Sequence, residues 1–261
     1  MNMDAFLEKI NELNELQKDL VSLHPLFAEH YPVVVAYEAL LYIYDYSSKT
    51  QQYEWVKTVP DDLYIPDECL AAMPVHHMNG RMCAIVTDTA FKDLEQKVYL
   101  FHEYVHCYVY EKYDERIVNR LQIKHKMDQL KRVTWELDYE FPYEDEIVVE
   151  RINSLLSALK SKDLTQVQTA RKALFTSLNE EQAEYWSWLE WNEGYARYIE
   201  NLIRAKFGQE SNHFGDTAPY NRLVFYECGS EYISLLVEEH PEYHTDLEQL
   251  FDRMQVERIQ G

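Results

Sequence analysis

Apolar side chains recur at three- and four-residue steps along most of this chain, and the pattern changes character only once. Phe6, Ile10, Leu13, Leu16, Leu20 and Leu23 predict an amphipathic helix over about residues 4–23. After Pro32 the texture becomes β-branched and aromatic. Val33-Val34-Val35 and Leu40-Leu41-Tyr42-Ile43-Tyr44 read as strands. Ser47 to Thr50 turns the second strand into a partner at 52–56. A further strand over 82–87 is entered through the turn dipeptide Asn79-Gly80. From about Thr89 the helical period returns and persists. It predicts helices at about 91–113 and 115–138, a break at Pro142, then helices at 144–161, 163–177 (with Asp163 as N-cap), 180–207 (closed by Gly208), 220–238 and 243–257. The expectation is an α+β fold, mostly helical, with a small mixed or antiparallel sheet. An N-terminal helix-plus-sheet part spans 1–90 and a helical part spans 91–261. No internal repeat or low-complexity tract interrupts it.

Composition narrows the function classes. The 261 residues carry 25 basic and 46 acidic side chains, a formal charge of −21. That charge disfavours nucleic acid and anionic membranes as partners. One local exception, Arg120, Lys124, His125, Lys126, Lys131 and Arg132, reads as a solvated helix face paired with acidic neighbours. No basic leader precedes an apolar run, and no stretch of eighteen apolar residues occurs, so a cytoplasmic chain without a membrane span is expected. The cysteines at 69, 83, 107 and 228 lack a C-x-x-C spacing and read as reduced, mostly buried thiols. Cys107 is turned about 100° from His106 on the helix and is expected in the core.

The chemistry concentrates at Phe101-His102-Glu103-Tyr104-Val105-His106, an H-E-x-x-H sequence within a predicted helix. Residues four apart share a helix face, so His102 and His106 can present imidazole nitrogens to one metal ion. Glu103 is then placed beside the fourth, water-occupied position of a tetrahedral zinc, the arrangement of a zinc hydrolase. A third protein ligand is still needed. The metzincin continuation demands glycine and histidine at fixed steps after His106, and Cys107-Tyr108-Val109-Tyr110-Glu111-Lys112 does not supply them. A glutamate from another helix remains, and the chain has many.

One glutamate has a distinctive context, Trp191-Asn192-Glu193-Gly194-Tyr195-Ala196-Arg197-Tyr198-Ile199-Glu200. The segment resembles the N-E-G-x-A-x-Y-x-E sequence of gluzincin metallopeptidases of the M1 aminopeptidase type. Gly194 fits beside a ligand, because it removes a side chain where two helices approach closely. The stripe Trp188, Trp191, Tyr195 and Tyr198 is expected to pack in the core. Downstream, Phe225-Tyr226-Glu227-Cys228-Gly229-Ser230 looks like the family's Y-E-x-G-[AS] segment. The resemblance implies a zincin-like catalytic domain that holds Zn²⁺ through His102, His106 and Glu193. It implies Glu103 as general base, Tyr226 as oxyanion donor with Tyr220 as fallback, and Glu200 as a group that orients a ligating imidazole.

Departures from the family shape the remaining expectations. Between His106 and Glu193 the chain carries extra material over about 114–180, read as a helical insertion. The aminopeptidase G-x-M-E-N signature has no counterpart, since Val75-His76-His77-Met78-Asn79-Gly80 lacks its glutamate. His76 and His77 are read as loop residues. The substrate is thus a peptide or protein, with exo- and endopeptidase modes both open and the oligomeric state unspecified. The strand near 82–87 is expected at a sheet edge, pairing with extended substrate. A non-catalytic, zincin-like protein-binding scaffold is the alternative, and a helical interaction protein with an accidental motif is the other.

Overall fold

The computed structural model describes residues 3–259, and the chain folds as α+β, mostly helical, around one small sheet. It divides into two compact units: Met1–Lys112 with Leu202–Gln209, and Tyr113–Asn201 with Glu210–Gly261.

In the first unit, helix α1 (Met3–Leu20) leads to strands β1 (Val33–Tyr37), β2 (Leu40–Ser47), β3 (Gln52–Pro60), β4 (Leu70–Val75) and β5 (Arg81–Thr87), and then helix α2 (Leu94–Val109). The strand order is β3-β2-β1-β5-β4. Only β1 and β5 pair in parallel, with Val34 opposite Ile85; the other pairs are antiparallel. This arrangement makes β1 the centre, and Val33, Val34 and Val35 are all fully buried, as a strand covered on both faces requires. One face packs Val34, Ile43, Val75, Cys83 and Ile85 into a cluster. Phe6, Ile10 and Leu13 of α1 and Val98, Phe101 and Val105 of α2 are likewise fully buried. At the β3 edge, Asn11 of α1 accepts from the Tyr53 amide (2.8 Å) and donates to the Tyr53 carbonyl (3.2 Å), which shields that end of the strand from stray pairing.

One expectation is corrected here, and one strand is added. β5 is an interior strand, hydrogen-bonded to β1 and β4, so the stretch at 82–87 is no edge. The edge on that side is β4, a strand that the alternation along the sequence does not announce. Its Pro74 cannot donate to a ladder on both sides, which confines it to an outer position. The turn at Asn79-Gly80 joins these two strands with positive φ at both residues (57° and 77°), the conformation that Asn-Gly favours.

In the second unit the expected long helix at 115–138 is three short ones: α3 (Glu115–Val118), α4 (Gln122–Gln129) and α5 (Trp135–Asp138). Then come α6 (Glu146–Ser161), α7 (Leu164–Thr176), α8 (Glu180–Lys206), α9 (Leu223–Glu239), α10 (Leu247–Met254) and α11 (Val256–Ile259). Asp163 caps α7 by accepting from the Gln166 amide, and Gly208 follows α8 at φ 69°, both as the sequence suggests. The core is aromatic: Trp186, Trp188, Trp191 and Tyr195 are buried along α8. Arg120, Lys124, Lys126 and Arg132 meet Asp252, Asp128, Glu181 and Asp138, so the basic stretch is a paired, solvated face. The four cysteines are free thiols, with Cys83, Cys107 and Cys228 buried. Among the described residues no helix is long and apolar enough to cross a membrane.

Candidate metal centre

Helix α2 begins where Asp93 accepts a hydrogen bond from the Gln96 amide, a side-chain N-cap. From there the apolar residues Val98, Phe101, Tyr104 and Val105 turn into the unit's interior. That rotation fixes where the polar residues of the motif go. His102 is buried, and Glu103 and His106 are partly exposed. The two Nε2 atoms, of His102 and His106, lie 3.2 Å apart. Two nitrogens bound to a tetrahedral zinc at about 2.0–2.1 Å stand roughly 3.3–3.4 Å from one another. The imidazole pair therefore has the separation that such a donor set requires.

Glu103 has an unexpected neighbour. Burial, and after it the Glu103 carboxylate, push the Cys69 thiol above its ordinary range. Cys69 directly precedes β4, so the outer strand of the sheet starts within electrostatic reach of the candidate base. At the other end of β4, within the connection to β5, His76 and His77 sit in a short 3₁₀ turn. Both rings reach the exposed Asp62, at 3.2 and 3.0 Å.

The remaining site residues belong to the second unit. Glu193, in the middle of α8, is 6% exposed, and its Oε1 accepts from Arg222 Nη2 at 2.6 Å. Arg222 stands at the N-cap of α9 and also donates to the Glu136 carbonyl. One turn further along α9 is Tyr226, whose ring lies 5.3 Å from the Arg197 guanidinium. Burial first, then the Glu193 carboxylate beside it, hold the Tyr226 phenol well above its ordinary range. Near neutrality it is therefore a protonated hydrogen-bond donor. Glu200 is buried: its Oε1 accepts from Asn212 Nδ2 at 2.9 Å, and its Oε2 lies 3.3 Å from Arg197 Nε. Tyr220 donates instead to Asn153, at 2.6 Å.

What joins Glu193 to Tyr226 is a pair of glycines. A Cβ on Gly194 would lie 2.4 Å from the Gly229 Cα, and one on Gly229 would lie 2.0 Å from the Glu190 carbonyl oxygen and 2.7 Å from the Gly194 Cα. The backbones of α8 and α9 thus touch where N-E-G and Y-E-x-G cross, and the two segments form one locus. Alanine at 229 has no side chain to push aside, only backbone. We expect Gly229→Ala to destabilise the second unit by at least about 1–3 kcal/mol, read as a lower urea midpoint; an unshifted midpoint would refute the close crossing.

Sequence reasoning passed over Arg222, Arg197 and Cys69. An arginine ahead of a helix carries no local mark, and its partner Glu193 is chosen by tertiary packing. Cys69 read only as one of four reduced thiols, with nothing in the sequence to bring it near Glu103. No protein-family model, no curated protein and no solved structure matches this chain.

Proposed function

We propose that the protein is a zinc-dependent metallopeptidase with a zincin-like catalytic fold of the gluzincin type. The observation that carries the reading is the convergence of the His102 and His106 Nε2 atoms at 3.2 Å on an H-E-x-x-H helix. His102, His106 and Glu193 would hold the ion. When bound there, zinc supplies a lowered pKa for water and polarisation of a peptide carbonyl. Glu103 takes the proton of the attacking water and passes it to the leaving amine. Tyr226, a neutral phenol, donates to the oxyanion that develops on the carbonyl. Glu200 orients a ligating imidazole. The outer strand β4 aligns an extended peptide through main-chain bonds, next to Glu103.

The Arg222–Glu193 pair favours the alternative, a non-catalytic protein-binding scaffold, because a cation already meets the third carboxylate. Metal analysis tests the site. Dialysed against Zn²⁺, the parent chain should bind one equivalent more than the His102→Ala/His106→Ala variant. Equal stoichiometry in the parent and the variant overturns the proposal.

A further inference from the structure

A second group of metal-capable side chains lies wholly within the second unit. Glu227 and Glu231 are four apart on α9 and so share a helix face, and His213 approaches them from the loop before α9. Its Nδ1 lies 3.0 Å from Glu227 Oε1 and 3.9 Å from Glu231 Oε1, and one ligand atom from each of the three lies within 4.8 Å of the others.

Three features go beyond an ordinary ion pair. The Glu227 side chain is only 4% exposed, and its Oε2 is buried with no hydrogen-bond partner among the described residues. A buried carboxylate oxygen left without a donor has lost its hydration with nothing in exchange, and His213 answers only the other oxygen. Glu231 adds a like charge one turn away, which is unfavourable unless a cation lies between them. Finally, these side chains and Asp216 border a cavity of about 240 Å³ floored by Leu156 and Leu159 of α6, so there is room for an ion and for water to complete its coordination.

The loop holds His213 in place from both sides. Asn212, 5% exposed, donates its backbone amide to Asn201 Oδ1 (2.7 Å), and its own Oδ1 accepts from the Phe214 amide (3.1 Å). Gly215, at φ 109°, lies so close to the Leu223 carbonyl that a Cβ there would come within 2.2 Å of it. The imidazole is therefore presented by a fixed backbone, as a ligand must be if binding is not to spend its energy on ordering a loop.

We propose that His213, Glu227 and Glu231 form a binding site for a divalent transition-metal cation, separate from the His102–His106 pair. One imidazole and two carboxylates suit Zn²⁺ or Mn²⁺; Ca²⁺ takes oxygen ligands alone. Binding through Nδ1 leaves His213 Nε2 toward the solvent, consistent with a ring that is half exposed. The bound ion would fasten the 210–222 loop to α9.

Equilibrium dialysis of the full chain against Zn²⁺ tests this. In the His102→Ala/His106→Ala background one equivalent should remain. Adding His213→Ala and Glu231→Gln should weaken it by more than about 100-fold, since loss of a direct ligand exceeds the 10–100-fold cost of an outer-shell change. The remaining equivalent should also raise the melting temperature, and His213→Ala should abolish that rise. His213 is exposed enough that its removal leaves the fold intact; Glu231→Gln alone, in the otherwise natural chain, is the second check. Unchanged stoichiometry and affinity in the His213→Ala/Glu231→Gln chain overturns the proposal and identifies a plain ion pair. A chain that loses its metal with His213 but keeps it without His102 and His106 supports this site and refutes the other.

Discussion

Replacing Glu103 with glutamine is expected to lower hydrolysis of unfolded protein substrates by about 10²- to 10⁴-fold while leaving the zinc content unchanged. Glutamine keeps the size and the hydrogen-bonding reach of the side chain but has no basic oxygen near neutrality. It therefore removes proton transfer and little else. Position 103 tolerates the exchange, because the side chain is partly exposed on α2 while the packing residues Phe101, Tyr104 and Val105 are fully buried. Fold and metal should both survive. The measurement is turnover of a quenched-fluorescence peptide library or an unfolded protein, alongside metal analysis and a thermal melt. Equal turnover in the glutamine variant would remove Glu103 from the mechanism, whereas a shared loss of turnover and zinc would make it a structural residue.

The largest stability effect should come from Arg171→Met. Arg171, on α7, is fully buried and donates to Glu190 of α8, to Glu257 of α11 and to the Met254 carbonyl, with its guanidinium 4.0 Å from the Tyr232 ring of α9. One side chain thereby ties α7 to four other helices. Methionine fills much of the volume but leaves Glu190 buried without its cation and Glu257 with Arg253 alone (2.8 Å), and breaking a buried pair from one side costs about 3–5 kcal/mol. The urea midpoint should fall accordingly at unchanged slope. Further substitution of Glu190→Gln and Glu257→Gln should restore part of the loss, because the stranded charges are then gone. A midpoint within about 0.5 kcal/mol of the parent, the range of ordinary surface changes, would show that this cluster contributes no net stability.

How far these features can be read from the sequence depends on how local their cause is. The caps at Asp163 and Gly208 and the Asn79-Gly80 turn act through their own backbone, and each sits where the residues suggest. The break-up of 115–138 has no such mark. Lys131 takes a left-handed φ of 57°, a position where glycine or asparagine would have announced the end of α4, and lysine does not. β4 was obscured by Ala71, Ala72 and Pro74, which carry little strand propensity. At the candidate site, the four-residue spacing of His102 and His106 is a helical property and predicts a common face directly. Arg222 is different. Its contact with Glu193 spans 29 positions and follows from the crossing of two helices, which no periodicity encodes. Glu227 was visible only as the glutamate of the tyrosine segment, because its partner His213 comes from a loop.

The paired glycines also bear on ancestry. Neither helix can yield at the crossing by itself, so positions 194 and 229 are expected to vary together or not at all. N-E-G and Y-E-x-G then amount to one joint signature, with small residues at both places, rather than two short motifs. Demanding the pair gives a criterion for recognising distant kin of this chain after their overall similarity has faded, and for rejecting chains that carry H-E-x-x-H by accident.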